Sequence, residues 1–453
     1  MIDHRNMTHG HPGKLILLFA LPLMLGNVFQ QMYTVVDTAI VGRGVGMIAL
    51  AALGTVDWLN WMFLGIAQGF TQGFSVRIAQ KFGEGDEEGL KRAIGLSARL
   101  AVWIAVAALA VAQLGMPLFL ALLKVPRELY AMAELYSRII LAGVPVMIFY
   151  NFCASVLRAV GDSKTPLYAM IAAALLNIGL DYLAVFALRW GIAGAAIATV
   201  LAQCLAGTVC LVKMLRTPLL RVEKRHFLPE RNMAKGLMGL GLPIAAQNII
   251  ISIGGMAVQS VVNNFDTSFI AGFTATNKLY GILEIAAVSY GYAVTTYTGQ
   301  NFGAAQWERI RRGIRWAVLI SLLTSALIAG VMILFGRDIT MLFISSDIKA
   351  QEVAAGNTAY RYLCVMSLGL PILYLLHIYR AALQGASNTR IPLLSGVAEF
   401  VIRLGGSILV AMSTWQEGIF LAEVGAWLGA AILLAAAYYH MASRLGKGGT
   451  AHG

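Results

Sequence analysis

The sequence predicts an all-α integral membrane protein, and its composition is the first reason. Of its 453 residues, 58% are hydrophobic and only 12% are charged, whereas soluble domains carry about 25% charged residues. The second reason is a series of twelve long apolar windows, each sufficient for a helical span of about 20 residues. In chain order, they fall near 15–41, 49–76, 94–120, 130–157, 166–188, 191–214, 236–262, 270–299, 313–335, 352–383, 392–414 and 417–442.

The charge distribution orients these windows in a membrane. The formal net charge is +12, and the basic residues collect on alternate loops, most densely at 77–99, 213–235 and 309–315. If both termini are cytoplasmic, all three of these loops are inner loops, in agreement with the positive-inside rule. We therefore predict a multi-pass protein of the cell membrane that contacts membrane lipid and does not bind nucleic acid.

The two halves of the chain are copies of one repeat. The matching segments are Gln80–Gly83 with Gln300–Gly303, Leu21-Pro22 with Leu242-Pro243, and Asp37-Thr38 with Asp266-Thr267. Each copy holds six windows in the same order, so both copies have the same orientation, as in parallel-repeat transporters. The sequence thus predicts two six-helix lobes, an N-terminal lobe at 1–225 and a C-terminal lobe at 226–453.

Asp37 and Asp181 are acidic residues that lie inside apolar windows of the first repeat. Asp37 and Asp181 are both placed in the outer half of their windows, and an ionised carboxylate there costs several kcal/mol unless it is compensated. Asn177 is one helical turn from Asp181, and Thr199 falls at a similar depth. Carboxylate, amide and hydroxyl oxygens suit a hard cation such as Na⁺, or a proton. The alternative is a hydrogen-bonded polar cluster that only packs helices.

Further candidates could contact a transported compound. Glu284 lies in the middle of the eighth window without a basic residue four positions away, and His377 lies in the middle of the tenth. We predict that both line a substrate site with Gln30, Met32 and Tyr33, because polar, Met and aromatic side chains suit varied amphipathic compounds. The alternatives are a structural ion pair between the lobes for Glu284 and a hydrogen-bonded core position for His377.

A set of short motifs gives the chain a family resemblance. These motifs are Leu21-Pro22, Asp37–Gly42, Gln80–Gly83, Arg158–Pro166, Asn177 with Asp181, and Gly191–Thr199. In combination they resemble the multidrug and toxic compound extrusion (MATE) family over essentially the whole chain. The resemblance implies two six-helix lobes, alternating access by rocking of the lobes, and export driven by entry of Na⁺ or H⁺. It also maps the first-lobe cation site of that family onto Asp37, Asn177, Asp181 and Thr199.

The resemblance is closer to one branch of the family than to another. NorM-like members carry acids in helices 7 and 10, whereas Ile251 and Leu373 occupy the corresponding positions here. The sequence therefore resembles the branch that couples through the first lobe.

These observations predict a secondary active exporter of organic, cationic amphipathic compounds that works by H⁺ or Na⁺ antiport. We expect a monomer without a cofactor and without enzyme chemistry, because the sequence has no nucleotide-binding loop, metal motif or nucleophile constellation. One alternative is a flippase for lipid-linked precursors, although such proteins often have extra spans and strongly cationic cavities. Another is a channel or receptor, which the asymmetric acids within a two-fold repeat disfavour.

Overall fold

The computed structural model describes residues 6–341, 349–413 and 415–448, and over these ranges the regular structure is helical. Each predicted apolar window coincides with a helix or, in one case, with two. The helices are α1 (Pro12–Gly44), α2 (Met47–Glu84), α3 (Glu87–Leu122), α4 (Arg127–Ala142), α5 (Val144–Ala159), α6 (Lys164–Tyr182), α7 (Gly191–Arg216), α8 (Arg231–Val262), α9 (Thr267–Gly303), α10 (Trp307–Met341), α11 (Lys349–Gly385), α12 (Arg390–Ala411) and α13 (Gly418–Gly448).

The lengths of these helices fit a membrane protein. Within the described ranges, nine are long and apolar enough to cross a bilayer, and the α4–α5 pair, bent by 41°, forms a tenth span. The bend falls just before Pro145, which has no N–H to continue the hydrogen-bonding ladder of α4. The helices α2 and α9 are also long enough to cross a bilayer, with 38 and 37 residues. The predicted all-α membrane fold with twelve spans is confirmed, with the fourth span built from two helices.

The chain packs as two compact units. Unit 1 is built from Leu21–Ile249, and unit 2 from Thr8–Ala20 together with the chain from Ile250 onward. The first half of α8 therefore belongs to unit 1, and the opening turns of α1 belong to unit 2. Since α1 and α8 are equivalent in the repeat, each unit includes the start of the other repeat's first helix. The repeat boundary at 225/226 remains a prediction from the sequence.

Small residues allow the first half of α8 to pack closely in unit 1. A β-carbon on Gly69 of α2 would lie 2.4 Å from the Cα of Ala245, and one on Gly73 would lie 2.4 Å from the Cα of Gly241. Such distances leave no room for a side chain at either position of α2. Close backbone approach at small residues is how membrane helices gain van der Waals contact.

The connection between α2 and α3 is closed by a helix cap. Gly85 adopts φ 73° at the end of α2, a conformation that glycine reaches without steric cost. Asp86 then caps α3 by accepting a hydrogen bond of 2.8 Å from the Gly89 N–H. The Lys81 ammonium donates to the same carboxylate at 2.9 Å. Together, the bonds from Lys81 and Gly89 lower the pKa of Asp86 from its usual value.

The segment between the repeats is folded onto α3. It forms two short 3₁₀ turns, at Pro218–Leu220 and Lys224–Phe227. His226 is buried; its Nδ1 accepts a hydrogen bond of 2.8 Å from the Glu223 N–H, and its Nε2 lies 3.3 Å from Glu88 Oε1. This charged linker is therefore an ordered part of unit 1.

Candidate cation-binding site

The predicted site in unit 1 begins on α6. Asn177 and Asp181 are fully buried, with exposed fractions of 1% and 0%, and one helical turn separates them on the same face. The α-helix ends at Tyr182 and continues as a π-helix over Leu183–Ala187. Such π segments are rare and occur often at functional sites. Asp181 thus stands at the point where the helical backbone widens.

Asp37 of α1 approaches Asp181. The two carboxyl groups come within hydrogen-bonding reach of one another, but with both ionised neither has a hydrogen to donate. Among the described residues, no hydrogen-bond donor is found for Asp37 Oδ1 or for either oxygen of Asp181, and the side-chain amide of Asn177 has no partner either. Buried carboxylates normally have a basic partner or a metal. This pair therefore calls for a proton or a metal cation.

Thr199 lies on α7, which packs against α6. Its hydroxyl donates a hydrogen bond of 3.1 Å to the Ala195 carbonyl within its own helix. The hydrogen of Thr199 is therefore engaged, and only the lone pairs of its oxygen are available to a cation. A hydroxyl oxygen is a donor suited to Na⁺ rather than to a transition metal, and the membership of Thr199 in the site of Asp37 and Asp181 stays a prediction.

The sequence analysis missed two residues near the acids. Asp57 of α2 is close enough to Asp37 to interact with it electrostatically. Tyr136 of α4 is buried and lies near Asp37, Asp57 and Asp181. Asp57 could have been predicted from the sequence, because it is an acid inside the second apolar window. No sequence pattern distinguishes Tyr136, since aromatic residues are common in membrane helices.

Two of the three predicted substrate residues of unit 1 share a helix face with Asp37. Gln30, Tyr33 and Asp37 are spaced three and four positions apart. Tyr33 lies close enough to Gln30, Asp37 and Asp181 to interact with all three electrostatically. Met32 is 57% exposed and, by helical geometry, lies on a different face. The structure thus groups Gln30 and Tyr33, but not Met32, with the acids.

The other two predicted substrate residues are paired within unit 2. His377 Nε2 of α11 lies 3.3 Å from Glu284 Oε1 of α9. The basic partner that Glu284 lacks on its own helix is therefore supplied by a neighbouring helix of the same unit.

A fold built from long apolar helices defines a polytopic membrane protein. Residues 22–183 and 243–409 match the family model described as MatE, so the chain belongs to the MATE family of transporters. Members of this family are transporters and not enzymes, which confirms the predicted lack of enzyme chemistry. The family uses coupling ions and needs no cofactor.

Individual relatives agree with this assignment over nearly the full chain. The chain is 29% identical to the probable multidrug resistance protein YpnP of Bacillus subtilis (strain 168), over 91% of this chain and 92% of that protein. It is 24% identical to the probable multidrug resistance protein NorM of Thermotoga maritima, over 92% and 88%. A crystal structure of a MATE protein in complex with MaL6 superposes with a TM-score of 0.90 over 99% of this chain and 100% of that one, at 23% identity. At that identity the structural match establishes the fold.

Proposed function

We propose that this protein exports organic, cationic amphipathic compounds by antiport with H⁺ or Na⁺. The observation that carries the proposal is the pair Asp37–Asp181, in which Asp181 is buried beside Asn177 and Asp37 is half-buried. Among the described residues, no hydrogen-bond donor is found for either oxygen of Asp181 or for the Oδ1 atom of Asp37. An acid pair in that state gains several kcal/mol when a cation neutralises it. Binding and release of that cation can therefore drive a conformational change.

The neutralisation step links the cation to the movement of the protein. Two adjacent carboxylates repel one another, and the repulsion is relieved when a proton is shared or a Na⁺ is bound. A neutral site can be enclosed in an apolar interior at a lower free-energy cost than a charged one. Cation entry from outside would then favour closure of unit 1 around Asp37 and Asp181, and a bound compound would leave outward. Asn177 and Thr199 serve as neutral oxygen ligands in this scheme.

The substrate side of the proposal rests on the other candidates. Gln30 and Tyr33 adjoin the acids, and Met32 offers an adaptable apolar surface. In unit 2, Glu284 supplies the negative charge that a cationic compound requires, with His377 beside it. The names of the relatives from Bacillus subtilis and Thermotoga maritima, both probable multidrug resistance proteins, support a broad range of organic substrates.

The charge pattern supports a location and an orientation for the protein in the membrane. Basic loops on one side support a position in the cell membrane with both termini cytoplasmic. We expect the protein to work as a monomer surrounded by lipid, because one chain contains both repeats.

Proteoliposomes with separately imposed H⁺ and Na⁺ gradients test the proposal. A fluorescent organic cation serves as the transported compound, and we expect the wild-type protein to accumulate it against its gradient with one of the two ions. Asp37→Asn should abolish this uphill transport, because the neutral amide removes the charge that the ion must balance. The variant should still insert and fold, since the substitution removes an uncompensated charge.

Glu134→Gln is the matched control, because Glu134 is an acid of unit 1 that is already paired with Arg138 at 2.7 Å. This variant should transport as the wild type does. Uphill transport at the wild-type rate by Asp37→Asn would rule out the coupling role, and wild-type transport that ignores both gradients would rule out antiport.

A further inference from the structure

Unit 2 contains a cluster of ionisable side chains that converge from four helices. We call it the unit 2 charge cluster, and its members are Glu284 of α9, His377 and Arg380 of α11, Glu399 and Arg403 of α12, and Glu423 of α13. The central members are well buried, with side-chain exposures of 4% for Glu399 and 9% for Arg403. Charges in such a position must be balanced within the cluster.

Most of the balance comes from two arginines. Arg380 pairs with Glu399. Arg403 donates a hydrogen bond of 2.8 Å to Glu423 and lies 4.0 Å from Glu399. The fourth ion pair, between His377 and Glu284, differs in kind, because a histidine is charged only when it is protonated.

The charge count of the cluster is uneven. Glu284, Glu399 and Glu423 contribute three negative charges, and the two guanidinium groups contribute two positive charges that are never lost. The cluster therefore carries one net negative charge when His377 is neutral and none when His377 is protonated. When His377 is neutral, the cluster lacks one positive charge, and the position at which that charge would balance the cluster is between Glu284 and His377.

Other groups near the cluster do not supply that charge. Those that act most strongly on Glu284 are His377, Arg403 and the hydroxyl of Tyr280. Tyr374 donates to the Leu283 carbonyl at 3.0 Å, and Tyr362 lies near Arg403 and Glu423. Both are neutral phenols. Lys278 is on the same helix as Glu284 but is exposed.

The neighbouring helices α8 and α10 also carry no charged residue at the depth of the unit 2 charge cluster. The helix α10 packs against α9 and α11, and its charged residues lie near its two ends, at 308–315 and 337–338. The part of α8 within unit 2 has no charged residue. It contributes Gly254, where a β-carbon would lie 3.7 Å from Arg403 Cδ.

The exposure of the members shows where an external charge can enter. Glu284 is 30% exposed, compared with 13% for Glu423 and 4% for Glu399. The second nitrogen of His377, Nδ1, faces Gly291, where a β-carbon would lie 3.9 Å away. The acid with the unsatisfied charge is thus also the most accessible one, and the histidine beside it has a nitrogen directed at a position without a side chain.

We propose that the unit 2 charge cluster is a second cation-binding site, at which Glu284 and His377 exchange one proton for the positive group of an organic cation. With the proton bound, His377 is an imidazolium that pairs with Glu284. When an organic cation reaches Glu284, it supplies the missing positive charge, and His377 releases its proton to the solvent. This inference rests on the proposed export of organic cations but does not depend on coupling at Asp37 and Asp181.

The test is proton release when a transported compound binds to the purified protein in lipid nanodiscs. A pH indicator in weak buffer follows the release, with one permanently cationic dye and one neutral dye as probes. For the cationic dye, the wild-type protein should release about one proton per molecule bound. The neutral dye should release none at this site. Asp37→Asn should retain the release, because the unit 2 charge cluster is intact in that variant.

Two variants remove the exchange in opposite ways. His377→Arg places a permanent positive charge beside Glu284, so the pair survives but no proton can leave. Glu284→Gln balances the cluster without a proton. Both variants should fold, since each removes the uneven charge. Both should bind the cationic dye more weakly than the wild type, and the dye that does bind should release no proton. Glu417→Gln is the control, because Glu417 forms an exposed pair with Arg361 in the same unit, and it should release protons as the wild type does.

Undiminished proton release in both variants would overturn the proposal, as would release that disappears only in Asp37→Asn. Equal release with the neutral dye would also overturn it, because the charge of the substrate would then play no part. These outcomes are distinct from failure of the proposed antiport, which would appear as wild-type transport that ignores both ion gradients.

Discussion

The two units bury their acidic residues in opposite ways. In unit 1, Asp37 and Asp181 approach each other, and no ion pair to either is found among the described residues. In unit 2, Glu399 and Glu423 are each paired with an arginine, and Glu284 is paired with a histidine. In the proposed mechanism the first arrangement depends on a cation from outside the chain, whereas the charges of the second are almost balanced by the chain itself.

The repeat makes this difference informative. The sequence match pairs Asp37 with Asp266, but Asp37 lies within α1, whereas Asp266 lies after α8 as the N-cap of α9 and accepts a hydrogen bond of 2.9 Å from the Phe269 N–H. The predicted equivalence of these two aspartates is therefore wrong: when Leu21-Pro22 of α1 is aligned with Leu242-Pro243 of α8, the buried Val258 takes the position of Asp37. The second copy thus has an apolar residue where the first has an acid, and the two units differ in chemistry although they share one helical repeat.

The largest expected effect concerns stability. Arg403→Met leaves Glu399 and Glu423 without their shared partner, and breaking a buried pair in this way costs about 3–5 kcal/mol. Asp181→Asn should have no such cost, because it removes a charge that has no basic partner. Thermal unfolding of the purified variants in nanodiscs measures both.

Arg361→Met is the control for unit 2, because its pair with Glu417 is exposed and exposed pairs contribute at most about 1 kcal/mol. Equal destabilisation by Arg403→Met and Asp181→Asn would show that the two units do not differ in charge compensation.

The sequence predicted one side of this comparison better than the other. Apolar windows define the helices, and an acid inside a window is conspicuous, so Asp37 and Asp181 were identified directly. The same rule applied to Asp57 would have identified it as well. The π-helix after Asp181 has no sequence signature, because it depends on how the backbone packs.

Local sequence patterns do not predict the ion pairs of unit 2. His377 and Glu284 come from different helices, and only the packing of α9 against α11 brings them together. The i,i+4 spacing of Glu399 and Arg403 is typical of an ion pair within one helix, yet their separation of 4.0 Å is the longest in the cluster. The stronger contacts are made between helices, by Arg380 with Glu399 and by Arg403 with Glu423.

A second expected effect concerns the acid pair of unit 1. If Asp37 and Asp181 bind one cation together, then the double variant Asp37→Asn with Asp181→Asn should be no worse than either single variant. Residues that act as a unit give non-additive losses. Gradient-driven uptake of the fluorescent cation measures this, and losses that add strictly would show that the two acids act independently.

A third effect, smaller, concerns substrate selection in unit 2. Glu284→Gln removes the accessible negative charge, and hydrogen bonds to charged groups contribute about 1.5–3 kcal/mol. We therefore expect the apparent affinity for cationic compounds to fall by about tenfold or more, with little change for neutral compounds of similar size. Transport assays with matched cationic and neutral dyes provide the comparison. Equal losses for both dyes would indicate that Glu284 is needed only for the structure of unit 2.

The smallest expected effect concerns Thr199, the one proposed ligand of unit 1 that is already hydrogen-bonded. Because its hydroxyl donates to the Ala195 carbonyl, Thr199→Val removes only an oxygen lone pair from the cation site, and α7 keeps its backbone hydrogen bonds. A single neutral contact of this kind contributes about 1 kcal/mol, so we expect the ion concentration for half-maximal transport to rise about fivefold while the maximal rate is retained. Thr199→Ser keeps the oxygen and should restore the wild-type value. If Thr199→Val leaves the ion dependence unchanged, the cation is held by Asp37, Asp181 and Asn177 alone, and the contrast between the two units then rests entirely on the acids.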